Sequence, residues 1–328
     1  MTIYISHFSS AVASDKSRKT FANNILAAYI TFKLDGIDID WEYPGRQGAE
    51  GNIVNSKDTP NFLSFLTTLR AILPPTARIS AAVQTSTFLD TEAHPMSDLS
   101  DFAQVLDWVT LMNYDVWGCK HAFYSVCTNK IDLFLQASSE PGPNAPLLDA
   151  CGNSTQADAN AVAAFQAWTA AKFPPCKLVL GVPSYGYIST SRAERLRTRS
   201  AFFSNRQARL SDSVKVVDED GGSDSQVQFR QLVKQGALVR SLPPHGNSSP
   251  TFSPSGGFER RWDTCSATPF LRSISSGQII TYDDPESLGM KATFARQVGM
   301  LGVNLFDIHG DTDEWDLTDP IRKSLGLV

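Results

Sequence analysis

The segment Leu34-Asp35-Gly36-Ile37-Asp38-Ile39-Asp40-Trp41-Glu42 alternates apolar and acidic residues with a period of two, and it constrains the fold more than any other stretch. Side chains on a strand alternate between faces, so Asp38, Asp40 and Glu42 share one face while Ile37, Ile39 and Trp41 take the other. A calcium loop needs flexible spacing and a turn glycine, whereas the β-branched isoleucines make this a strand. A solvated acidic face is the bland alternative. Three carboxyls stacked a few ångströms apart oppose full ionisation, so the cluster shares protons and at least one pKa rises.

The surrounding pattern puts this strand in a parallel sheet. Lys16 to Tyr29 reads as a helix with Phe21, Ile25 and Tyr29 on one face and Ser14 or Asp15 as N-cap, ending just before the acidic strand. Thr59-Pro60 reads as the N-cap and first-turn proline of the next helix, whose apolar stripe is Phe62, Phe65, Leu66, Leu69 and Leu73. Pro74-Pro75 ends it. Further strands are expected at Ile79 to Thr85, Trp108 to Tyr114, Leu178 to Pro183 and Gly302 to Phe306, and helices at Ala159 to Phe173 and Pro285 to Val298. Strands alternating with helices imply an α/β fold. Between Ile188 and Ile280 the alternation gives way to Arg-rich, Gly/Ser/Asp-rich and Pro/Ser-rich stretches around a short helix near Val227 to Gln235. Residues 188–280 are therefore read as a small inserted α+β lobe within one domain spanning 1–328.

Composition narrows the function. A net charge of −5 with no long Lys/Arg run lacks the footprint of a nucleic-acid binder. No run approaches the roughly 18 apolar residues of a membrane span. Met-Thr-Ile-Tyr-Ile-Ser-His-Phe has neither a basic n-region nor an apolar h-region, so no signal peptide is expected. The 5 cysteines (Cys119, Cys127, Cys151, Cys176, Cys265) form no CxxC pair, which argues against a structural metal, and their pairing stays open. Asn153-Ser154-Thr155 and Asn247-Ser248-Ser249 are sequons.

A carboxylic acid kept protonated near neutral pH is what protonation of a glycosidic leaving oxygen requires. The acidic strand contains Asp35, Asp38, Asp40 and Glu42 in the spacing D-x-x-D-x-D-x-E, and with it the chain resembles glycoside hydrolase family 18. Met112-Asn113-Tyr114-Asp115-Val116-Trp117-Gly118 resembles the family's sixth-strand motif, and Gly181-Val182-Pro183-Ser184-Tyr185-Gly186 its seventh. Tyr282-Asp283-Asp284-Pro285 through Gly302 to Asp311 is similar to its last helix and eighth strand. Asp263-Thr264-Cys265-Ser266 with Pro269 resembles the lobe of fungal-type chitinases.

The resemblance implies a TIM-type (β/α)8 barrel with its site at the C-terminal strand ends, acting on chitin or chitooligosaccharides without metal or cofactor. It implies substrate-assisted retention: Glu42 is general acid and then base, Asp40 holds the acetamido N–H, Asp38 shares a proton with Asp40, and Tyr114 steadies the acetamido oxygen. Asp115, Met112, Tyr185 and Phe306 would complete the sugar subsites, with Trp41, Trp117 and Trp262 read as packing. An extracellular setting is implied for the family. Endo against exo cleavage and the oligomeric state stay open.

Departures from the family pattern are also expectations. The third-strand S-x-G-G motif is absent and Phe8-Ser9-Ser10-Ala11-Val12 resembles the segment after it, so an N-terminally incomplete barrel lacking three strands is expected. Phe306 stands where the family has a tryptophan, and phenylalanine offers less stacking area and no N–H. Residues 119–136 interrupt the pattern and read as a retained intron. A chitin-binding, lectin-like protein with weak or no turnover is the alternative function.

Overall fold

The computed structural model describes residues 7–48, 52–117, 141–191, 195–196, 213–219, 225–241 and 250–327. Cys119, Cys127, the 119–136 segment and the Asn247 sequon lie outside them. In chain order the elements are α1 (Phe8–Val12), α2 (Asp15–Phe32), β1 (Gly36–Asp40), α3 (Asp58–Ile72), β2 (Arg78–Val83), α4 (Ser100–Val105), β3 (Trp108–Met112), α5 (Ala161–Ala170) and β4 (Leu178–Pro183). Then come β5 (Tyr185–Thr190), β6 (Gln226–Gln228), α6 (Phe229–Lys234), β7 (Leu238–Ser241), β8 (Thr251–Pro254), β9 (Glu259–Asp263), β10 (Thr268–Ser273), β11 (Gln278–Thr281), α7 (Pro285–Gln297), β12 (Gly302–Phe306) and α8 (Thr318–Leu325).

β1, β2, β3, β4 and β12 lie side by side in that order, every pair parallel, as the arc of a TIM-type barrel. Each strand's alternation divides the sheet into two faces. Ile39, Ile79, Ala81, Val83, Val109, Leu111, Leu178, Leu180 and Val182 are buried on the helix-covered face. They join the stripe Phe62, Phe65, Leu66 and Leu69 of α3, and each buried Val, Leu, Ile or Phe side chain contributes about 1.5–3 kcal/mol by leaving water. Aromatic rings knit the same layer: Trp41 stacks on Phe8 at 5.3 Å and meets Phe62 edge-on at 5.4 Å. Trp41 is thus a packing residue, as its position in the alternation requires. On the opposite face Asp38, Asp40, Ser80, Thr110, Met112 and Asn304 look into a cavity.

Local chemistry sets the element ends. Ser14 caps α2, its hydroxyl accepting from the Ser17 amide at 3.1 Å, and Lys33 in the left-handed region (φ 51°) turns the chain into β1. The N-terminus of α3 differs from expectation. The helix starts at Asp58, so Thr59 lies inside it, buried, and the residue at the cap position, Lys57, makes no side-chain cap bond. Asp58 prevails because its buried carboxylate accepts from Ser9 Oγ at 2.6 Å, from the Asn55 amide at 2.8 Å and from the Gly45 amide at 3.3 Å, fastening α1 and the loop after β1 to the helix.

Between β4 and α7 the chain builds an antiparallel sheet, ordered β6-β5-β11-β10-β9, and a separate β7-β8 hairpin. The β5 strand of this sheet begins at Tyr185, two residues past β4, and between them the Ser184 amide donates to the Phe306 carbonyl at 2.9 Å. Its first strand therefore starts beside the C-terminal end of the parallel sheet. A Cys151–Cys265 disulfide joins the β9–β10 turn to the segment before α5, and the Ala150 and Leu147 amides reinforce it by donating to the Cys265 and Ser266 carbonyls, each at 2.9 Å. Cys176 is free and exposed. No helix among the described residues is long and apolar enough to cross a membrane.

Candidate active site

Glu42 sits two residues beyond β1, at the C-terminal mouth of the parallel sheet, in a cavity of about 1040 Å³. Asp38, Asp40, Tyr43, Met112, Tyr114, Asp115 and Phe306 share its wall. The strand alternation brings the three acids to one side, as its period requires, but with graded burial. Asp38 is exposed and accepts from Ser80 Oγ at 2.5 Å, the residue opposite it on β2. Asp40 is largely buried, and burial together with the Asp38 charge raises its pKa. Glu42 is pushed up to about 7, by burial first and the Asp40 charge second. Asp40 and Glu42 share a hydrogen bond, so the pair holds a proton at neutral pH. The other oxygen of Asp40, Oδ1, is buried with no hydrogen-bond partner among the described residues.

The second wall comes from the chain after β3, which ends at Met112 rather than Tyr114 and thereby leaves Tyr114 and Asp115 at the strand's mouth. Tyr114 stacks on Phe306 with ring centroids 5.6 Å apart, and burial near the acids holds its hydroxyl protonated. Gly181 makes room for it: a Cβ there would lie 2.6 Å from the Leu111 carbonyl and 3.0 Å from the Tyr114 ring. Phe306 is 50% exposed, its free face open to the cavity. Asp115 adopts φ 59° and accepts from the hydroxyls of Tyr185 at 2.7 Å and Tyr187 at 2.6 Å, both on β5. Tyr185 is itself buried behind Asp115 and acts on the cavity through that carboxylate. Asn144 accepts from the Asp115 amide at 2.8 Å and donates to the Tyr185 carbonyl at 3.0 Å, tying the two elements together.

Sequence reasoning missed Tyr187, Asn144 and Tyr43. Tyr187 had a legible signal, since it shares a strand face with Tyr185; the others reach the site through loops. Trp117 packs on the backbone at Gly142, where a Cβ would lie 2.3 Å from the ring, and Arg260 covers the Trp262 ring at 5.3 Å. Both tryptophans are packing residues. Among the described residues no group of His, Cys, Asp or Glu converges to hold a metal ion.

A family model for glycosyl hydrolases family 18 matches residues 4–311. A chitinase-like effector from Moniliophthora roreri is 32% identical over 98% of this chain and 75% of its own length. Chitinase A1 of Niallia circulans is 26% identical over 94% of this chain and 39% of its own length. Among solved structures, a chitinase from Rhizomucor miehei superposes with a TM-score of 0.74 at 26% identity, over 97% of this chain and 80% of that one.

Proposed function

Because this chain belongs to glycosyl hydrolases family 18, we propose that it hydrolyses the β-1,4 linkages of chitin and chitooligosaccharides with retention of configuration. The observation that carries the reading is the Asp40–Glu42 pair, a carboxyl held protonated to about pH 7 beside a buried, unpartnered acceptor. In this proposal Glu42 protonates the glycosidic oxygen while the acetamido oxygen of the same sugar attacks its own anomeric carbon. The C–O bond to the leaving sugar breaks, and an oxazolinium ion forms. Asp40 Oδ1 accepts the acetamido N–H and offsets the developing positive charge, with Asp38 sharing its proton load. Tyr114 donates to the acetamido oxygen, Phe306 and Met112 border the sugar, and Asp115, held by Tyr185 and Tyr187, faces its polar edge. Glu42, now a carboxylate, takes a proton from the water that opens the oxazolinium ion.

An oxidising extracellular setting fits the Cys151–Cys265 disulfide and the Asn153 sequon. The test is turnover of chitohexaose, followed by product chromatography, beside Glu42→Gln. Loss of a general acid lowers the rate roughly 10²–10⁴-fold, and equal rates in the two proteins would refute the assignment. A binding-only reading is favoured by the exposure of Asp38 and of the Phe306 ring, which leaves the subsite open to water. It predicts retention on chitin beads with no released product from either protein.

A further inference from the structure

Glu42 lies two residues past the last paired position of β1, Asp40 opposite Ala82, so the β1–β2 ladder does not reach its peptide. The hold on that peptide comes from the loop that follows it. Asn52 Nδ2 donates to the Glu42 carbonyl at 2.6 Å, and because a carbonyl can only accept, the orientation of the Asn52 amide follows. Gly48 lies against the same group: a Cβ there would sit 1.7 Å from the Glu42 carbonyl oxygen and 2.9 Å from the Tyr43 nitrogen. The loop is itself fastened at both ends. Arg46 donates to Gln84 Oε1, to Ser86 Oγ and to the Thr87 carbonyl, each at 2.6 Å, which ties its start to the chain leaving β2. The buried Asp58 carboxylate closes its base by accepting the Gly45 and Asn55 amides. None of these residues has a part in the proposed proton transfers.

We propose that Asn52 is a positioning residue for Glu42, holding the carbonyl of that residue so that its carboxyl stands beside Asp40, and that position 48 lacks a side chain to permit the same hold. The inference rests on the reading of Glu42 as the acid of this site. A side chain points where its backbone directs it. Rotating the backbone by about 15° at the Cα carries a carboxyl about 4 Å away through roughly 1 Å, a misplacement worth up to about 10²-fold in rate. An aliphatic side chain at position 52 removes the donor, and water then competes for the Glu42 carbonyl and lets the peptide turn. The ionisable groups that face the Glu42 carboxyl are Asp40 on β1, Asp115 after β3 and the Tyr43 and Tyr114 hydroxyls, with Asp38 beyond Asp40. Burial and the Asp40 charge hold its pKa at about 7. A carboxyl that swings into the open cavity loses both influences and titrates lower.

The experiment compares Asn52→Ala with the parent protein in kcat and KM on chitohexaose and in a carbon NMR titration of the glutamate carboxyls, the Glu42 signal being identified by its loss in Glu42→Gln. Asn52→Ala is expected to lower kcat roughly 10–10²-fold with KM within about twofold. Its Glu42 midpoint is expected to fall by roughly half a pH unit or more. Gly48→Ala, which presses on the same carbonyl, is expected to shift both in the same sense; if it does not fold, Asn52→Ala decides alone. An unmoved or raised midpoint in Asn52→Ala overturns the proposal whatever the rate does, because the residue would then only support the fold. A rise in KM with kcat unchanged overturns it too, by placing Asn52 against the substrate. The titration needs no turnover, so a parent protein that cleaves nothing refutes the hydrolase reading and leaves the midpoint to decide on Asn52.

Discussion

Glu42 illustrates how one residue links site chemistry to stability. Its carboxyl has an ordinary pKa of 4.5 in the unfolded chain and about 7 when folded. The folded state therefore binds the extra proton between those values, and stability falls as pH rises through that window. Above pH 7 the folded protein carries the full penalty, on the order of 3 kcal/mol at most. Glutamine cannot ionise, so Glu42→Gln should raise the melting temperature relative to wild type at pH 8 and leave it unchanged at pH 4, a comparison that scanning calorimetry settles. Gly181 makes a second link. A Cβ 2.6 Å from the Leu111 carbonyl and 3.0 Å from Tyr114 forces strand or ring to shift. Gly181→Ala is expected to cost about 1–3 kcal/mol in denaturant unfolding and to lower kcat through a displaced Tyr114.

At the scale of elements, what the sequence could reveal depended on how each strand is covered. β1 was legible because one face meets the core and the other carries acids, giving strict alternation, and β4 and β12 matched their expected bounds residue for residue. The antiparallel sheet was not, since β9 is Glu-Arg-Arg-Trp-Asp, mostly charged, and β10 is buried at every position, so neither shows a period of two. The short helices α1, α4 and α8 lack length for a helical stripe. The site divides the same way: Asp38, Asp40 and Glu42 are local in sequence, whereas the grip of Tyr185 and Tyr187 on Asp115 spans 70 and 72 residues. That grip depends on the segment around Asn144, which the Cys151–Cys265 disulfide anchors through a sequence separation of 114. Cys151→Ser with Cys265→Ser should lose about 2–4 kcal/mol in guanidinium unfolding. KM for chitooligosaccharide should rise as Asp115 loses its anchor.

Across the whole molecule, the parallel sheet does not close on itself among the described residues; β1 and β12 are its two edges. The edges coincide with apolar exposure: Ile30 and Phe32 at the end of α2 are 64% and 66% exposed, and Leu301 beside β12 is 54% exposed. Unpaired parallel strands flanked by apolar side chains are templates for edge pairing, which natural sheets suppress with charge. The net charge of −5 gives only modest repulsion between copies, and salt screens it beyond about 8–10 Å. Aggregation on mild heating should therefore quicken with added salt. Phe32→Lys places a charge beside β1 at an exposed position, so it should slow light-scattering growth at 45 °C severalfold while the melting temperature stays within about 2 °C. An equal aggregation rate in the variant would locate the sticky surface elsewhere, and a large fall in melting temperature would mean that Phe32 supports the cavity wall it borders.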